Sequence, residues 1–218
     1  MLDLHSFDAV LFDMDGTLTK NAHFHDLAWE KVMLERYNYQ IIPNDHRLHG
    51  GKTKFITESL LERPMTIEEA TEFHEYKEAT YREFARGQIK PLLGLLEYLE
   101  FLKANGKRIA LVTSADRTNT VFVLSALGLL ERFETWTLAE DVQNGKPHPE
   151  PFLMGAKKLG LEPSRCIAHE DSLAGVQSAV AAGCQVIGMT TSQTESALLE
   201  HGAKIAVPDY LPLIGGLK

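Results

Sequence analysis

Two aspartates separated by one residue stand directly after the first apolar run of the chain. Asp13 and Asp15 belong to the segment D-M-D-G-T-L at residues 13–18, and the preceding run F-D-A-V-L-F at residues 7–12 predicts a short buried strand. Two carboxylates at the end of a buried strand cost free energy unless cationic groups meet them. The structural alternative is a turn aspartate beside a helix-capping aspartate, and other parts of the chain must distinguish the two.

Three further polar clusters follow predicted strands or precede predicted helices. They are Thr113-Ser114, Lys146 in the segment G-K-P-H-P, and Glu170-Asp171. Because ligands of parallel sheets bind beyond the carboxyl ends of the strands, we expect all four clusters at one edge of a sheet. Taken singly, each has a structural alternative: a strand end for the hydroxyls, an exposed surface for the lysine, and a helix N-cap for the acidic pair.

The side chains of these clusters are chemically complementary. Asp13, Glu170 and Asp171 supply the oxygen ligands that Mg²⁺ prefers. The Thr113 hydroxyl and the Lys146 ammonium group can bind phosphate oxygens. Phosphoryl transfer requires this set, because that reaction depends on positioning and on neutralising charge at the transferred oxygens. The residues therefore predict a phosphoryl-transfer site.

The elements that must position these residues alternate from residue 91 onward. Predicted strands lie at residues 108–113, 134–138, 165–169 and 185–189, and predicted helices at residues 92–104, 117–127, 149–159 and 172–182. Such alternation with short links indicates a parallel sheet covered by helices on both faces. Residues 198–217 predict a final helix and strand that carry no recognisable chemistry.

An all-helical block interrupts the alternation after the first strand. Its predicted helices span residues 26–37, 53–61 and 67–86, and the last begins with a capping box in which Thr66 and Glu69 satisfy each other's amides. A helical block inserted into an α/β sheet indicates a cap. We therefore expect a core domain formed by residues 1–20 and 87–218 and a cap domain formed by residues 21–86.

Composition excludes several classes of protein. The 218 residues are 44% hydrophobic and 24% charged, which fits one globular domain with an insertion. No apolar run approaches the roughly 18 residues of a membrane span, and no signal-peptide pattern follows Met1. The net charge of −8, without basic clusters, argues against nucleic-acid binding. The two cysteines, Cys166 and Cys184, are too few for a disulfide framework and favour the cytoplasm.

Together, the motifs resemble those of the haloacid dehalogenase (HAD) superfamily. The D-x-D-G-T segment from Asp13, then Thr113, Lys146 in G-K-P-x-P, and Glu170-Asp171 are similar to its four motifs, over about residues 7–190. The resemblance implies an α/β fold with a Rossmann-like parallel-sheet core and an inserted α-helical C1 cap. It points to the subfamily of β-phosphoglucomutase and of small sugar-phosphate and phosphoglycolate phosphatases.

The resemblance also implies a role for each matched residue. Asp13 would be the nucleophile that forms an aspartyl-phosphate, and Asp15 the general acid and then the general base. Thr113 and Ser114 would bind phosphoryl oxygens, and Lys146 would orient nucleophile and phosphate.

The implied cofactor is Mg²⁺. It would bind the Asp13 side chain, the Asp15 carbonyl and Asp171, with Glu170 nearby. A metal that bridges nucleophile and phosphate removes the repulsion between two anions.

Three cap residues are candidates for substrate binding. His25 lies in H-F-H-D-L-A-W, which resembles the family's H-x-x-A-W segment, and either reaches the active-site edge or packs on the cap. Lys52 lies in the loop where relatives place specificity residues, and it suits a second anionic group or is a surface lysine. Lys77 resembles a phosphomutase cap lysine and is equally consistent with a solvated helix face.

We expect a Mg²⁺-dependent phosphatase for a small phosphorylated metabolite such as a sugar phosphate. The alternative is a β-phosphoglucomutase-like phosphomutase, but relatives of that kind tend to carry Val in place of Thr17 and Ser-Lys shortly after the second motif. Ala115-Asp116 occupies that place here, and an aspartate would repel a second phosphate, although Arg117 could compensate.

A non-enzymatic phospho-acceptor is a third hypothesis, because receiver domains assemble similar groups around Mg²⁺. An acid–base candidate two residues after the acceptor, and a cap, both count against it. We expect no nucleic-acid or membrane partner, and a monomer or weak homodimer.

Overall fold

The computed structural model describes residues 7–42, 45–48 and 53–214. Its strands are β1 (Ala9–Phe12), β2 (Arg108–Val112), β3 (Thr135–Thr137), β4 (Cys166–Glu170), β5 (Gln185–Met189) and β6 (Ile205–Val207). Its helices are α1 (Ala22–Tyr37), α2 (Thr53–Leu61), α3 (Ile67–Ala85), α4 (Leu95–Ala104), α5 (Arg117–Leu127), α6 (Glu150–Lys158), α7 (Leu173–Ala182) and α8 (Glu195–Glu200).

The strands form one parallel sheet in the order β3-β2-β1-β4-β5-β6. The first strand, β1, lies in the middle of this sheet, between β2 and β4. Phe12, the last residue of β1, is opposite Leu111 of β2 and His169 of β4. Because the strand order reverses around β1, its carboxyl end is a switch point of the kind at which α/β sheets bind ligands. The predicted α/β fold class is confirmed.

One face of the sheet packs against α6 and α7 through small and branched side chains. The buried residues of this layer include Leu11, Ala110, Val112, Ala168, Val186, Phe152, Ala156, Val176 and Ala179. Gly155 lies so close to β2 that a Cβ atom there would be 2.6 Å from Val112 Cγ2. Helix α6 therefore packs directly on the strand whose end carries the second motif.

The other face carries a buried aromatic cluster behind the end of β1. Phe12 stacks on His169 with ring centroids 4.9 Å apart, and Tyr98 of α4 stacks on Tyr210 at 5.2 Å. All four rings are fully buried. The cluster ties α4 and the residues after β6 to the central strands.

The chain divides into two compact units, Met1–Lys20 with Ile89–Lys218 and Asn21–Gln88. The second unit contains α1, α2 and α3 around a core of its own, which includes Trp29, Val32, Met33, Ile56, Leu60 and Phe73. Among the described residues, no helix combines the length and the apolarity required to cross a bilayer.

Several element boundaries differ from the sequence-based prediction. Helix α4 begins at Leu95 rather than at residue 92, because Gly94 has a φ of 76°, in the left-handed region. Helix α1 begins at Ala22 rather than at residue 26, and its N-cap residue Asn21 makes no capping side-chain bond that would mark the start. The last helix and strand lie earlier than the predicted 198–217, because Thr194 caps α8 through the Ala197 amide.

The N-cap of α5 gives a direct test of this local structure. Asp116 Oδ1 accepts a hydrogen bond from the Asn119 amide at 2.8 Å. We expect Asp116→Ala to lower the free energy of unfolding by about 1 kcal/mol, equivalent to roughly 2–4 °C in the melting temperature of a chain of this size. Asp116→Asn keeps an acceptor oxygen and should melt close to the wild type. Equal melting temperatures for Asp116→Ala and the wild type would show that the cap contributes nothing.

Candidate active site

The first aspartate is held by the sheet itself. The Asp13 amide donates to the His169 carbonyl at 3.0 Å, which continues the ladder between β1 and β4 by one residue. Its side chain is buried, and Oδ1 lies 2.6 Å from Lys146 Nζ. The position of this carboxylate is therefore fixed by backbone pairing on one side and by an ion pair on the other.

Lys146 joins three strand ends through a single ammonium group. Its Nζ donates to Asp13 Oδ1 at 2.6 Å, to Glu170 Oε1 at 2.6 Å and to the Val112 carbonyl at 3.0 Å. These bonds use all three ammonium protons, and the side chain is only 6% exposed. The loop before α6 thus delivers a cation to the ends of β1, β2 and β4.

Glu170 ends β4 against the first turn of α7. Its Oε2 accepts hydrogen bonds from the Ser172 amide and hydroxyl, both at 3.0 Å. A Cβ atom on Gly175 would lie 1.8 Å from Glu170 Oε1, so the helix can accommodate this carboxylate only with glycine there. The positive end of the helix dipole favours an anion at this place.

Asp15 is half-buried in a tight loop that follows β1. The Leu18 amide donates to the Met14 carbonyl at 2.8 Å, and the Gly16 amide donates to the Thr19 carbonyl at 2.8 Å. Gly16 has a φ of 83°, and a Cβ atom on it would lie 1.9 Å from Asp171 Oδ2. Both the left-handed backbone and the close approach of this carboxylate require glycine.

Asp13, Glu170 and Asp171 form a buried acidic cluster in which one oxygen from each residue lies within 4.8 Å of the others. Burial raises the pKa of Asp13 to about 7, although the charge of Lys146 opposes the rise. Burial also raises the pKa of Asp171 well above its ordinary value, and the charges of Glu170 and Asp13 add to the effect. Although burial opposes its charge, the two bound carboxylates raise the pKa of Lys146.

Among the described residues, three carboxylates of this cluster therefore share one lysine, and their negative charge exceeds its positive charge. All of its donor atoms are carboxylate oxygens, which are the ligands that hard divalent cations such as Mg²⁺ prefer. The close approach permitted by Gly16 brings the third carboxylate into the cluster. The donor set thus fits a divalent cation.

Thr113 and Ser114 extend the site from the end of β2. The Thr113 amide donates to the Thr137 carbonyl at 2.9 Å, and its Oγ1 accepts from the Ala115 amide at 3.0 Å. Because a hydroxyl also carries a proton, Thr113 keeps a donor in this arrangement. Ser114 is exposed.

Two candidate residues of the helical unit, His25 and Lys77, contact other side chains of that unit. His25 stacks on Tyr81 with ring centroids 3.7 Å apart, and its Nδ1 is 3.4 Å from Lys77 Nζ. Lys77 is buried and pairs with Glu78 at 2.5 Å, so the solvated-face interpretation of this lysine is wrong. Lys52 lies outside the described residues.

Sequence reasoning missed three hydroxyl groups that hold the site's backbone. Thr191 Oγ1 donates to the Gly16 carbonyl, Ser192 Oγ donates to the Asp171 carbonyl at 2.9 Å, and Tyr210 OH donates to the Thr17 carbonyl at 3.0 Å. The first two follow the end of β5, where the strand-end rule could have found them. No sequence pattern near Tyr210 predicts its hydrogen bond to Thr17, because the two residues are far apart in the chain.

Comparison with known proteins agrees with this geometry. A model of the haloacid dehalogenase-like hydrolase family matches residues 7–183. The "Phosphorylated carbohydrates phosphatase" of Thermotoga maritima is 31% identical over 203 residues, which cover 90% of this chain and 92% of that protein.

Two solved structures extend the comparison over almost the whole chain. A HAD hydrolase of family IA, variant 3, from Entamoeba histolytica has a TM-score of 0.89 at 28% identity and covers 97% of each chain. A β-phosphoglucomutase from Clostridium difficile has a TM-score of 0.82 at 28% identity and covers 97% of this chain and 93% of its own. The resemblance inferred from the motifs is confirmed: the chain is an enzyme of the haloacid dehalogenase-like hydrolase family.

Proposed function

We propose that this chain is a Mg²⁺-dependent phosphatase that hydrolyses a small sugar phosphate through an aspartyl-phosphate. The observation that carries the proposal is the ion pair in which Lys146 holds Asp13 and Glu170, each at 2.6 Å. It unites a carboxylate nucleophile, a cation and a buried acidic cluster at one edge of the sheet. The name of the Thermotoga relative, which refers to phosphorylated carbohydrates, supports a sugar phosphate as the substrate.

In the first step, Asp13 takes the phosphoryl group from the substrate. Lys146 binds Oδ1 of Asp13, which leaves Oδ2 as the attacking atom. A bond forms between Oδ2 and phosphorus while the bond from phosphorus to the sugar oxygen breaks. Asp15 gives its proton to that oxygen, so the sugar leaves as a neutral alcohol.

In the second step, water releases the phosphate. The Asp15 carboxylate takes a proton from the water molecule, whose oxygen attacks phosphorus while the bond from phosphorus to Asp13 breaks. Inorganic phosphate leaves, and both aspartates return to their starting states. Division into two displacements is the usual benefit of a covalent intermediate.

The acidic cluster is the proposed metal site. Asp13 and Asp171, with the Asp15 carbonyl as the family resemblance implies, would hold Mg²⁺, and Glu170 lies beside them. When bound, Mg²⁺ neutralises the charge that otherwise keeps a phosphate away from the nucleophile. Thr113 and Ser114 would bind the phosphoryl oxygens.

We assign the helical unit Asn21–Gln88 the role of a cap that selects the substrate. His25 and Lys77 are its candidate substrate-binding groups. Because Lys77 is buried against Glu78, its charge is already balanced, and its contribution to binding an anion depends on that partner. Lys52 stays a candidate on the ground of its sequence position alone.

A phosphomutase is the second candidate, and the likeness to a β-phosphoglucomutase structure favours it. The position of Asp116 argues for water as the acceptor instead. Its carboxylate caps α5. The family resemblance implies that a mutase carries a cation at this place to hold the second phosphate, and an aspartate there would repel that phosphate.

A panel of phosphate esters tests the proposed function. We expect the wild type to release inorganic phosphate from sugar phosphates, and Asp13→Asn to release none because the amide is not a nucleophile. Circular dichroism and melting should show that the variant is folded. Conversion of a sugar 1-phosphate to the 6-phosphate without free phosphate would identify a mutase. Activity retained by Asp13→Asn would contradict the assigned nucleophile.

The acid–base role predicts a trapped intermediate. We expect Asp15→Asn to slow both steps, by about 10²–10⁴-fold. Acid quenching followed by mass measurement of the intact protein should then reveal one added phosphoryl group in Asp15→Asn, and none in the double variant that also carries Asp13→Asn. Wild-type rates in Asp15→Asn would refute the role.

The metal site predicts a stabilising effect that is separate from activity. Chelation should stop turnover, and added Mg²⁺ should restore it. In the same protein, Mg²⁺ at a hundred times its dissociation constant should stabilise the fold by about 2.7 kcal/mol, measured by thermal melting. Asp171→Asn should remain folded and lose most of this Mg²⁺-dependent shift. If neither the melting temperature nor the turnover of the wild type changes with Mg²⁺, the proposed metal site is wrong.

A further inference from the structure

We propose that Tyr210 and Thr191 are positioning residues for Asp15, because their hydroxyls hold the loop on which this acid–base group lies. The inference rests on the proposed function, since it concerns the group that protonates the leaving oxygen. It assigns a part in the reaction to the segments after β5 and after β6, to which the sequence analysis gave no role.

The two aspartates of the first motif are held by different interactions. Asp13 is paired with β4 through its own amide and with Lys146 through its side chain. Asp15 lies beyond the last paired residue of β1, and the loop that carries it depends on its own turns and on contacts from other segments. The bonds made by Asp13 fix that residue, and the place of Asp15 depends as well on what holds the loop after it.

Hydroxyl groups from two distant segments bind consecutive carbonyls immediately after Asp15. Thr191 Oγ1 donates to the Gly16 carbonyl, and Tyr210 OH donates to the Thr17 carbonyl at 3.0 Å. Two successive peptide groups held at their oxygens limit the rotation of the backbone that directly follows Asp15. Thr191 and Tyr210 can have this effect without touching the substrate.

The Tyr210 hydroxyl is placed by rigid surroundings. The ring is fully buried, stacks on Tyr98 and lies 6.2 Å from Phe12, between ring centroids. The Tyr210 amide donates to the Leu93 carbonyl at 3.0 Å. The donor is therefore fixed relative to β1, the strand from which the Asp15 loop departs.

Ser192, the residue after Thr191, binds the backbone of the acidic cluster. Ser192 Oγ donates to the Asp171 carbonyl at 2.9 Å, and the Asp171 carboxylate lies against Gly16. The turn after β5 thus holds both the Asp15 loop and the backbone of the residue packed against it. The relative positions of these two segments depend on this turn.

The leaving group of the substrate distinguishes positioning of Asp15 from a general loss of structure. A sugar alkoxide needs a proton as it leaves, whereas p-nitrophenolate leaves readily without one. The value of kcat/KM covers the steps up to departure of the leaving group, so it excludes the later hydrolysis of the aspartyl-phosphate. A misplaced Asp15 should therefore lower kcat/KM for a sugar phosphate selectively.

The test compares Tyr210→Phe and Thr191→Val with the wild type on a sugar phosphate and on p-nitrophenyl phosphate. We expect each variant to lose about tenfold or more in kcat/KM on the sugar phosphate, as a displacement of a catalytic group costs. On p-nitrophenyl phosphate, kcat/KM should change by less than about twofold, because the nucleophile stays in place. Thr191→Ser retains the hydroxyl and should restore the sugar-phosphate rate.

Tyr98→Phe is the matched control. It removes a hydroxyl from the same buried cluster, but that hydroxyl is bonded to His169 Nε2 at 3.1 Å and not to the Asp15 loop. Its ratio of the two kcat/KM values should equal that of the wild type. If Tyr210→Phe does not fold, the comparison of Thr191→Val with Thr191→Ser tests the positioning role by itself.

The outcomes separate this inference from the function on which it rests. A wild type that hydrolyses both esters, together with variants whose two kcat/KM values fall equally or not at all, would overturn the positioning role and leave the phosphatase intact. A wild type that hydrolyses neither ester would overturn both.

Discussion

A single buried ammonium group balances the charges on which the site depends. Lys146 binds Asp13 and Glu170 at 2.6 Å each, and its third proton goes to the Val112 carbonyl. Removal of one partner of a buried ion pair leaves an uncompensated charge and costs about 3–5 kcal/mol. The ends of β1, β2 and β4 therefore form one unit through this lysine, and with Asp171 nearby the site still has an excess of carboxylates. That excess of negative charge favours a divalent cation, which in the proposed function would offset the repulsion between the site and a phosphate ester.

Such close packing of charges constrains the backbone around them. Gly16 and Gly175 lie where a Cβ atom would be 1.9 Å from Asp171 Oδ2 and 1.8 Å from Glu170 Oε1. The D-x-D-G pattern thus has a steric reason in addition to its turn geometry. The glycine in α7 has the same reason, although its place inside a helix gives no hint of it.

The sequence was most informative where a property is local. The strand–helix alternation predicted the sheet, and the position of polar residues after strands predicted that Asp13, Lys146 and Glu170 meet. Properties that depend on a distant partner were not predictable in this way. The burial of Lys77 is set by packing within the helical unit, and the hydrogen bond from Tyr210 to Thr17 joins residues 193 positions apart. Asn21, which precedes helix α1, is of a residue type that often caps helices, but its side chain makes no capping bond here.

The proposed acid–base group, Asp15, and the proposed nucleophile, Asp13, have different electrostatic requirements. A nucleophilic carboxylate benefits from a lysine on one oxygen, which favours the charged form. A group that must first give a proton and then accept one would lose that ability in a tight ion pair, because a fixed opposite charge holds it in a single protonation state. The protons of Lys146 are all used elsewhere, so this lysine has no donor left for Asp15. Bonds to the carbonyls of Gly16 and Thr17 can restrain the loop without placing a charge on the carboxylate itself. Neutral hydroxyl donors acting on the backbone are thus a physical means to restrain the loop of the proposed acid–base residue without adding a charge to its carboxylate.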